Sequence, residues 1–408
     1  MYDPSPNVSK QPNVVVTLAL VSAVVVPQIG VGMSVPSLPS IAEDFRVSIS
    51  SAQGTLIVYM VGYALSMLVS GLLSDRFGPR RTQLWGLGLA GAAAILAALA
   101  DNVTTFYGAR FIQALGGCVG TVTTRLIVSR GYDARDRMKI LTTLASAIAI
   151  TPCLVPLVGG ALLPYVGWRG VFTTIAPISF GTLLFFLVAT RGTAAHTKNV
   201  APFSTIGSIY LRNIKMPRFG LYAAAISFVW MSYFTFVSCS SGPLQVHMRL
   251  SALHYGIALA FAAIGYVSGS MSARRLSQKK DIDDIIRISS FVGFTGGVLL
   301  IGLTVAFSDR LFSLLIPVIA ILFATGMTIP ATQAGLLKYT TQDAGISSGF
   351  FFFIQMIAGA SYAALGNTLQ NMTPSILATL VAIPALFLPF VLYGLKLRVQ
   401  RVERTQSI

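Results

Sequence analysis

The sequence is poor in charged residues. Only 10% of its 408 residues are Asp, Glu, Lys or Arg, whereas 54% are hydrophobic. A soluble domain carries about a quarter charged residues, so this chain could not cover its apolar surface in water. Lipid must be the solvent for much of that surface. The composition therefore excludes an ordinary soluble protein.

The chain also lacks the residue patterns that most reaction chemistry needs. Its three cysteines, Cys118, Cys153 and Cys239, fall inside apolar segments and provide neither a disulfide framework nor a metal-binding spacing. No GxxxxGK[ST] loop is present, so ATP is not the energy source. No Ser/His, His/Asp or metal-ligand cluster falls inside the apolar runs. We expect no enzyme activity, no bound metal and no other cofactor.

Long apolar runs fill most of the sequence. A helix needs about 20 such residues to cross the ~30 Å hydrocarbon core of a bilayer. On that scale the sequence predicts an all-α membrane protein with 12 transmembrane helices. The predicted spans are 14–36, 54–73, 82–100, 104–128, 140–163, 170–190, 218–240, 253–273, 285–306, 311–333, 345–368 and 374–395.

Basic residues outnumber acidic ones and give a formal net charge of +16. They lie in short intervals between spans, for example Arg76–Arg81, Arg130–Lys139 and Arg274–Lys280. A nucleic-acid-binding protein would gather them on one folded face, so we expect a lipid bilayer as partner and no nucleic acid. Basic loops face the cytoplasm, and this distribution predicts that both termini are cytoplasmic.

The longest polar interval divides the chain into two six-helix halves. The predicted organisation is an N-terminal tail (1–13), a first bundle (14–190), a basic linker (191–217), a second bundle (218–395) and a C-terminal tail (396–408). Each half has a basic connector between its second and third spans. Weak internal symmetry of this kind is typical of secondary transporters, which bind substrate between their halves.

One loop carries a specific resemblance. The stretch Gly71-Leu-Leu-Ser-Asp75-Arg76-Phe-Gly78-Pro-Arg80-Arg81 resembles the signature loop of the major facilitator superfamily. The resemblance implies a conformational latch between the two halves, formed by Gly71, Asp75, Arg76, Gly78, Arg80 and Arg81. Pro79 stands where the family usually has a base, so the guanidinium that bonds Asp75 stays open. The alternative is a basic loop that serves topology alone.

Other segments narrow the resemblance. The fifth predicted span contains Pro152, Pro156, Gly159 and Gly160 and resembles the antiporter motif of drug exporters, although Val155-Pro156 replaces the usual Gly-Pro. Val35–Pro39, Arg125–Asp133 and Ser241–Pro243 are similar to segments of the Bcr/CflA group of exporters. The resemblance implies a major facilitator fold of two pseudo-symmetric bundles, working as a monomer in the bacterial inner membrane.

Two arginines lie deep in predicted spans. The segment from Tyr107 to Gly117, which includes Arg110, resembles the fourth-helix motif of the superfamily, and Arg125 follows in the same span. A charge at that depth costs at least ~2.5 kcal/mol. No acidic residue lies near mid-membrane, and Gly32 stands where the family commonly has an acid. Arg110 could instead bond only backbone carbonyls, and Arg125 could bond Asp133 or Asp136.

We expect one or both arginines to hold an anionic or acceptor-rich small molecule, because an unpaired cation in lipid needs a partner. Aromatic surface with sparse polar groups suits a cavity between the halves. The resemblance implies which helices face that cavity, and carrying them over to this chain adds wall residues to the two arginines. The predicted substrate-binding residues are Arg110, Arg125, Gln113, Gln28, Tyr59, Tyr63, Trp230, Tyr233, Phe234, Phe352 and Gln355.

The leading functional prediction is an alternating-access exporter of a small amphipathic or anionic compound, such as a drug, siderophore or metabolite. Protons are a candidate coupling ion. Two alternatives stay open. One is a facilitator or importer of a siderophore or metabolite with the same fold, and the other is a receptor or assembly scaffold derived from a transporter.

Overall fold

The computed structural model describes residues 13–191, 203–307, 310–340, 344–369 and 372–406. The predicted N-terminal tail through residue 12, linker residues 192–202 and residues 407–408 lie outside the described residues. All regular elements within the described ranges are helical. They are α1 (Val14–Gly32), a 3-10 turn (Val35–Ser37), α2 (Leu38–Asp44), α3 (Ile49–Phe77), α4 (Pro79–Ala98), α5 (Val103–Gly117), α6 (Gly120–Gly131), α7 (Ala134–Ala189), α8 (Phe203–Lys215), α9 (Pro217–Cys239), a π-helical turn (Gly242–His247), α10 (Ala252–Leu276), α11 (Ile282–Ala306), α12 (Leu311–Tyr339), α13 (Ala344–Asn367) and α14 (Pro374–Gln406).

Twelve membrane crossings can be traced in the described part of the chain. Ten helical stretches are long and apolar enough to span a bilayer, and one of them, Asp136–Ala189, is 54 residues long. Gly167 divides this stretch into two helices, because its φ of 66° is not helical and favours glycine. The remaining crossing is α4, in which Arg80 and Arg81 lie in the first turn and make the helix less apolar. The predicted all-α membrane fold is confirmed.

Two predicted spans differ from the observed helices in where they end. The first span ends as a regular helix at Gly32, and the chain continues through Val35–Ser37 into α2. Pro36 and Pro39 lie in the first turns of these two elements, where a missing N–H costs nothing. The last helix differs in the other direction, because α14 continues to Gln406, past the predicted end of the span at residue 395.

The helices pack into two groups that meet along two lines. In the first half, α7 packs against α1 and α4, while α3 packs against α5. In the second half, α12 packs against α10 and α11, while α14 packs against α9 and α11. The halves meet where α7 packs against α10 and where α3 packs against α13. A space between the halves is therefore bordered by helices of both.

At one end of the molecule, called here the closed end, hydrogen bonds join the halves. The side-chain amide of Gln53 donates to the carbonyl oxygen of Cys239 at 3.2 Å and to Ser241 Oγ at 3.0 Å. Asn367 Nδ2 donates to the carbonyl oxygen of Ser50 at 3.1 Å. Gln53 is 1% exposed, so water does not compete for its bonds. These contacts close the space between the halves at this end.

Candidate functional site

A cavity opens between the halves toward the end that carries the signature loop, called here the basic end. Its wider part, the vestibule, has a volume of about 380 Å³ and is lined mostly by aliphatic side chains such as Leu141, Leu144 and Leu336. A smaller inner chamber of about 100 Å³ lies toward the closed end. The two parts share six lining residues, which make them one continuous cavity. The shared residues are Met67, Thr121, Arg125, Ile148, Gln333 and Phe352.

Arg125 supplies a positive charge to the wall of this cavity. It extends from α6 of the first half, and its Cζ lies 5.1 Å from the ring centroid of Phe352 on α13 of the second half. Within the described residues, the guanidinium makes no hydrogen bond and no ion pair. Its cation–π contact with Phe352 is worth about 0.5–2 kcal/mol. Arg125 thus has donors available for a ligand.

The alternative partners that the sequence offered to Arg125 are engaged elsewhere. Asp133 accepts a hydrogen bond from the backbone N–H of Asp136 at 2.9 Å, which caps the start of α7. Asp136 accepts one from Lys139 Nζ, also at 2.9 Å. Arg125 therefore bonds neither aspartate, and its charge is left to the cavity.

None of the described residues lining the vestibule or the inner chamber is acidic. Gly32, the position at which the resemblance led us to look for an acid, lies where α1 packs against α7. A Cβ atom at Gly32 would lie only 2.7 Å from Val155 Cγ1, so a carboxylate there would require Val155 or the helices to shift. The fixed charge of the cavity is therefore positive.

The inner chamber combines aromatic surface with unused polar groups. Seven of the residues proposed from the sequence for the cavity wall line this chamber. They are Tyr63, Trp230, Tyr233, Phe234, Phe352, Gln28 and Gln355. Gln355 Oε1 and Trp230 Nε1 are buried without a hydrogen-bond partner among the described residues. Such groups cost free energy until they are paired. They are available to a ligand that offers both a donor and an acceptor.

Gln333 also lines both parts of the cavity, although the sequence analysis did not single it out. It lies on α12, at the last residue of the predicted span 311–333. The sequence did contain one indication of this role. Gln333 is a polar amide one helical turn from the apolar Ile329, which also lines the inner chamber. Gln333 brings a third amide to the cavity beside Gln28 and Gln355.

Arg110 is placed differently from the prediction. Its side chain is fully buried inside the first half, and neither Arg110, Gln113 nor Tyr59 lines the vestibule or the inner chamber. The guanidinium donates to Gln113 Oε1 at 2.6 Å, to the carbonyl oxygen of Gly30 at 2.8 Å and to Ser34 Oγ at 3.2 Å. In this conformation these residues are a structural cluster, which corrects their assignment to the cavity wall.

Two aromatic rings also contact the guanidinium of Arg110. Its Cζ lies 4.4 Å from the ring centroid of Tyr59 and 5.2 Å from that of Phe172. Tyr59 in turn donates its hydroxyl hydrogen to the carbonyl oxygen of Pro27 at 3.0 Å. The charge therefore ties α5 to α1, α3 and α7 without any carboxylate.

Replacing Arg110 with alanine is expected to lower thermal stability rather than ligand affinity. The change leaves the buried Gln113 Oε1 without its donor, at a cost of about 1–3 kcal/mol, and removes one of the two side-chain hydrogen bonds to the carbonyl oxygen of Gly30. A thermal melt of the purified protein with and without ligand separates the two effects. The exposed Arg274 provides the matched control, since Arg274→Ala removes an arginine without buried bonds. Loss of ligand binding with an unchanged melting temperature would place Arg110 in the binding site instead.

The predicted antiporter motif lies where α7 meets both α1 and the second half. A Cβ atom at Gly159 would lie 2.4 Å from the carbonyl oxygen of Met33 on the α1 side, and one at Gly160 would lie 2.3 Å from that of Ala252 on α10. Pro152 lines the inner chamber. The small residues of this motif therefore permit backbone contact between the halves.

Pro156 contributes to the same contact from the opposite direction. A Cβ atom at Gly256 of α10 would lie 2.7 Å from the carbonyl oxygen of Pro156. Because proline has no N–H and disturbs the regular helix, it suits a segment that bends to meet another helix. The motif residues thus place α7 and α10 in backbone contact along the cavity.

The signature loop bonds within the first half in this conformation. Arg130 at the end of α6 pairs with Asp75 at 2.5 Å. Arg80 donates to Thr190 Oγ1 at 2.9 Å and to the carbonyl oxygen of Leu187 at 3.0 Å, both at the end of α7. Arg130 is therefore the guanidinium partner of Asp75 that the sequence left open.

The other predicted latch residues are less engaged. Arg76 and Arg81 are exposed. A Cβ atom at Gly71 would meet nothing within 4 Å, and Gly78 adopts a φ of 85°, which favours glycine between α3 and α4. Gly71 therefore borders open space at the basic end, where the halves are apart.

Comparison with known proteins agrees with this architecture. Residues 20–363 match the family model of the Major Facilitator Superfamily. The multidrug resistance protein MdtL of Escherichia coli is 27% identical over 376 residues, which cover 90% of this chain and 92% of MdtL. The chloramphenicol resistance protein CraA of Acinetobacter baumannii is 25% identical over 334 residues, covering 81% of this chain and 79% of CraA.

A solved structure shows the same fold at lower sequence similarity. The peptide transporter POT in complex with sulfate superposes with a TM-score of 0.74 at 14% identity, covering 95% of each chain. At that identity the likeness concerns the fold alone. Together with the sequence match over residues 20–363, it identifies the architecture described above. The chain belongs to the Major Facilitator Superfamily, whose members are membrane transporters and not enzymes.

Proposed function

We propose that this protein exports small amphipathic organic compounds, anionic ones in particular, from the bacterial cytoplasm by alternating access. The observation that carries the proposal is Arg125, an unpaired cation in a cavity whose described lining contains no carboxylate. The names of two relatives, a multidrug resistance protein and a chloramphenicol resistance protein, support drug-like cargo. The substrate class is argued from the cavity itself.

The lining of the cavity favours amphipathic molecules. Apolar atoms dominate the vestibule, which suits cargo that partitions from the inner leaflet or the cytoplasm. The inner chamber offers the rings of Trp230 and Tyr233, whose centroids lie 5.0 Å apart, for aromatic contact. Arg125 can form charge-assisted hydrogen bonds with an acidic or acceptor-rich group. A molecule with a ring system and one anionic group satisfies all three features.

Membrane orientation makes this conformation inward-facing. The cavity opens at the basic end, and basic loops face the cytoplasm. Both termini then lie in the cytoplasm and the closed end faces outward. The halves, residues 14–190 and 218–395, would rock as units about their α3–α13 and α7–α10 contacts, within a single chain acting as a monomer.

The charge of the cavity also bears on the energy source. Moving one negative charge out of a negative cytoplasm gains about 2.3 kcal/mol per 100 mV of membrane potential. An exporter of anions can use this gradient without an embedded acid that takes up and releases a proton. The absence of acids from the described cavity lining agrees with potential-driven export. Proton exchange is the competing mechanism.

Export is tested by the sidedness of substrate accumulation in cells. Cells that lack the protein and cells that overexpress it are loaded with fluorescent acidic amphiphiles and with cationic dyes. We expect overexpression to lower the internal concentration of the acidic compounds. Overexpression that raised it would identify an importer, and overexpression that lowered only the cationic dyes would contradict the substrate class.

The signature loop distinguishes a working transporter from a receptor with transporter ancestry. Asp75→Asn removes the charge that pairs with Arg130 at the basic end. We expect a roughly tenfold loss of flux, equivalent to a shift of about 1.4 kcal/mol between conformations, with ligand affinity retained. Flux in liposomes and ligand binding are measured on the same preparation. Compounds that bind the wild-type protein but are not carried by it would favour the receptor, and unchanged flux in Asp75→Asn would show that this charge does not contribute to the latch.

A further inference from the structure

A second cavity lies on the outer surface of the second half, apart from the central one. It is a groove of about 280 Å³ between α11 and α14, and Leu221 of α9 completes its lining. Phe291 and Tyr393, which both line it, are 58% and 69% exposed. Because this surface faces outward from the helix bundle, the bilayer covers it. The groove therefore meets lipid rather than the transported molecule.

The groove changes in character along its length. Its charged residues lie at the basic end, where α11 begins and toward which α14 runs. Arg287 stands one turn, about 6 Å, before Phe291 on α11. Lys396 stands about 10 Å along α14 from Pro389. A charged rim thus leads into an apolar interior that contains Phe291 and Pro389.

Of the charged residues at the rim, Lys396 remains available to bind an anion, because the acidic residue of the lining is paired with other side chains. Asp283, the carboxylate of the lining, accepts a hydrogen bond from the Tyr222 hydroxyl at 2.9 Å and pairs with Arg218 at 3.4 Å. Arg287 pairs with Asp284 at 3.2 Å at an exposed position, where such a pair is weak. Lys396 makes no ion pair or hydrogen bond to the part of the chain that the structure describes.

From this arrangement we propose that the groove binds an anionic phospholipid of the inner leaflet. The phosphate lies at Lys396 and Arg287, and an acyl chain follows the apolar interior past Phe291 and Leu392. Basic sites between transmembrane helices on the cytoplasmic side suit such headgroups. The charged rim of the groove lies at the level of the lipid headgroups, and its apolar interior lies at the level of the acyl chains. The groove therefore matches both parts of this ligand.

The proposal predicts selective binding that depends on these two cations. Delipidated full-length protein is titrated with phosphatidylglycerol or phosphatidylcholine in mixed micelles, and binding is followed by native mass spectrometry and by the melting temperature. We expect phosphatidylglycerol to bind preferentially and to stabilise the protein. Lys396→Ala and Arg287→Ala should each weaken its binding roughly fivefold, since each cation near the surface contributes about that factor.

Matched variants separate this site from general surface charge. Arg398 is exposed on the same helix but does not line the groove, so Arg398→Ala should keep the preference, and Lys396→Arg should restore it. Equal binding of both lipids, or an equal loss in Arg398→Ala, would overturn the proposal. Protection by inorganic phosphate alone, with no further gain from the lipid, would indicate a free-anion site and would also overturn it.

Discussion

Replacing Arg125 with alanine is expected to weaken the binding of an acidic amphiphile by roughly ten- to a hundredfold. A hydrogen bond to a charged group contributes about 1.5–3 kcal/mol, which corresponds to that change in affinity. The side chain has no competing partner among the described residues besides the ring of Phe352, so its loss is not offset within the cavity. Isothermal titration or a ligand-dependent melt of the purified protein measures the effect.

The matched controls for Arg125 are a conservative variant and a change of ligand. Arg125→Lys keeps the charge but loses the planar fork, so we expect an intermediate affinity. An analogue in which an apolar group replaces the acidic group should bind wild type and Arg125→Ala about equally, because it offers the guanidinium no acceptor. An acidic ligand that bound Arg125→Ala as tightly as wild type would show that this side chain does not hold the cargo.

Gly160→Val is expected to abolish transport by preventing closure of the outer end. A Cβ atom at this position would lie 2.3 Å from the carbonyl oxygen of Ala252, well inside any real contact, and backbone cannot yield as a flexible side chain can. The halves must separate there, which favours the outward-open state. We expect flux to fall below detection while the protein still folds and reaches the membrane.

Reactivity of a native cysteine reports this shift. Cys239 is buried at the closed end, and its carbonyl oxygen accepts the bond from Gln53. In a background in which Cys118 and Cys153 are serine, a membrane-impermeant maleimide added from outside should label Cys239 much faster in Gly160→Val.

The control for Gly160→Val lies on the same helix. Gly181 of α7 is exposed, and a Cβ atom there would meet nothing within 4 Å, so Gly181→Val tests valine on this helix without the clash. It should leave both flux and Cys239 labelling unchanged. Normal flux in Gly160→Val would mean that the contact between α7 and α10 does not limit closure.

The sequence was sufficient to predict the fold because lipid imposes a simple rule on apolar length. The predicted spans 218–240 and 253–273 correspond to helices Pro217–Cys239 and Ala252–Leu276. Breaks within spans were harder to predict. The fourth span, predicted as 104–128, consists of α5 and α6 with a short interruption at Cys118 and Val119, and apolarity alone does not reveal such an interruption.

The site was predicted less completely, since a residue's depth in the membrane does not fix the face of the helix on which it lies. Arg110 and Arg125 were equivalent by depth, yet Arg110 bonds Gly30 and Gln113 inside the first half while Arg125 faces the cavity. The hydrogen bonds of Gln53 at the closed end could not be predicted for a different reason. Its partners lie 186 and 188 residues away in sequence, and only the folded chain brings them together.

The central claim is that a positive cavity, with no acid among the described residues that line it, moves anions along the membrane potential. Flux of an acidic amphiphile through purified protein in liposomes, with potential and pH gradient clamped independently, tests it most directly. We expect export from the negative side to rise with the potential and to persist when the pH gradient is abolished. Export that follows the pH gradient and ignores the potential would contradict this mechanism.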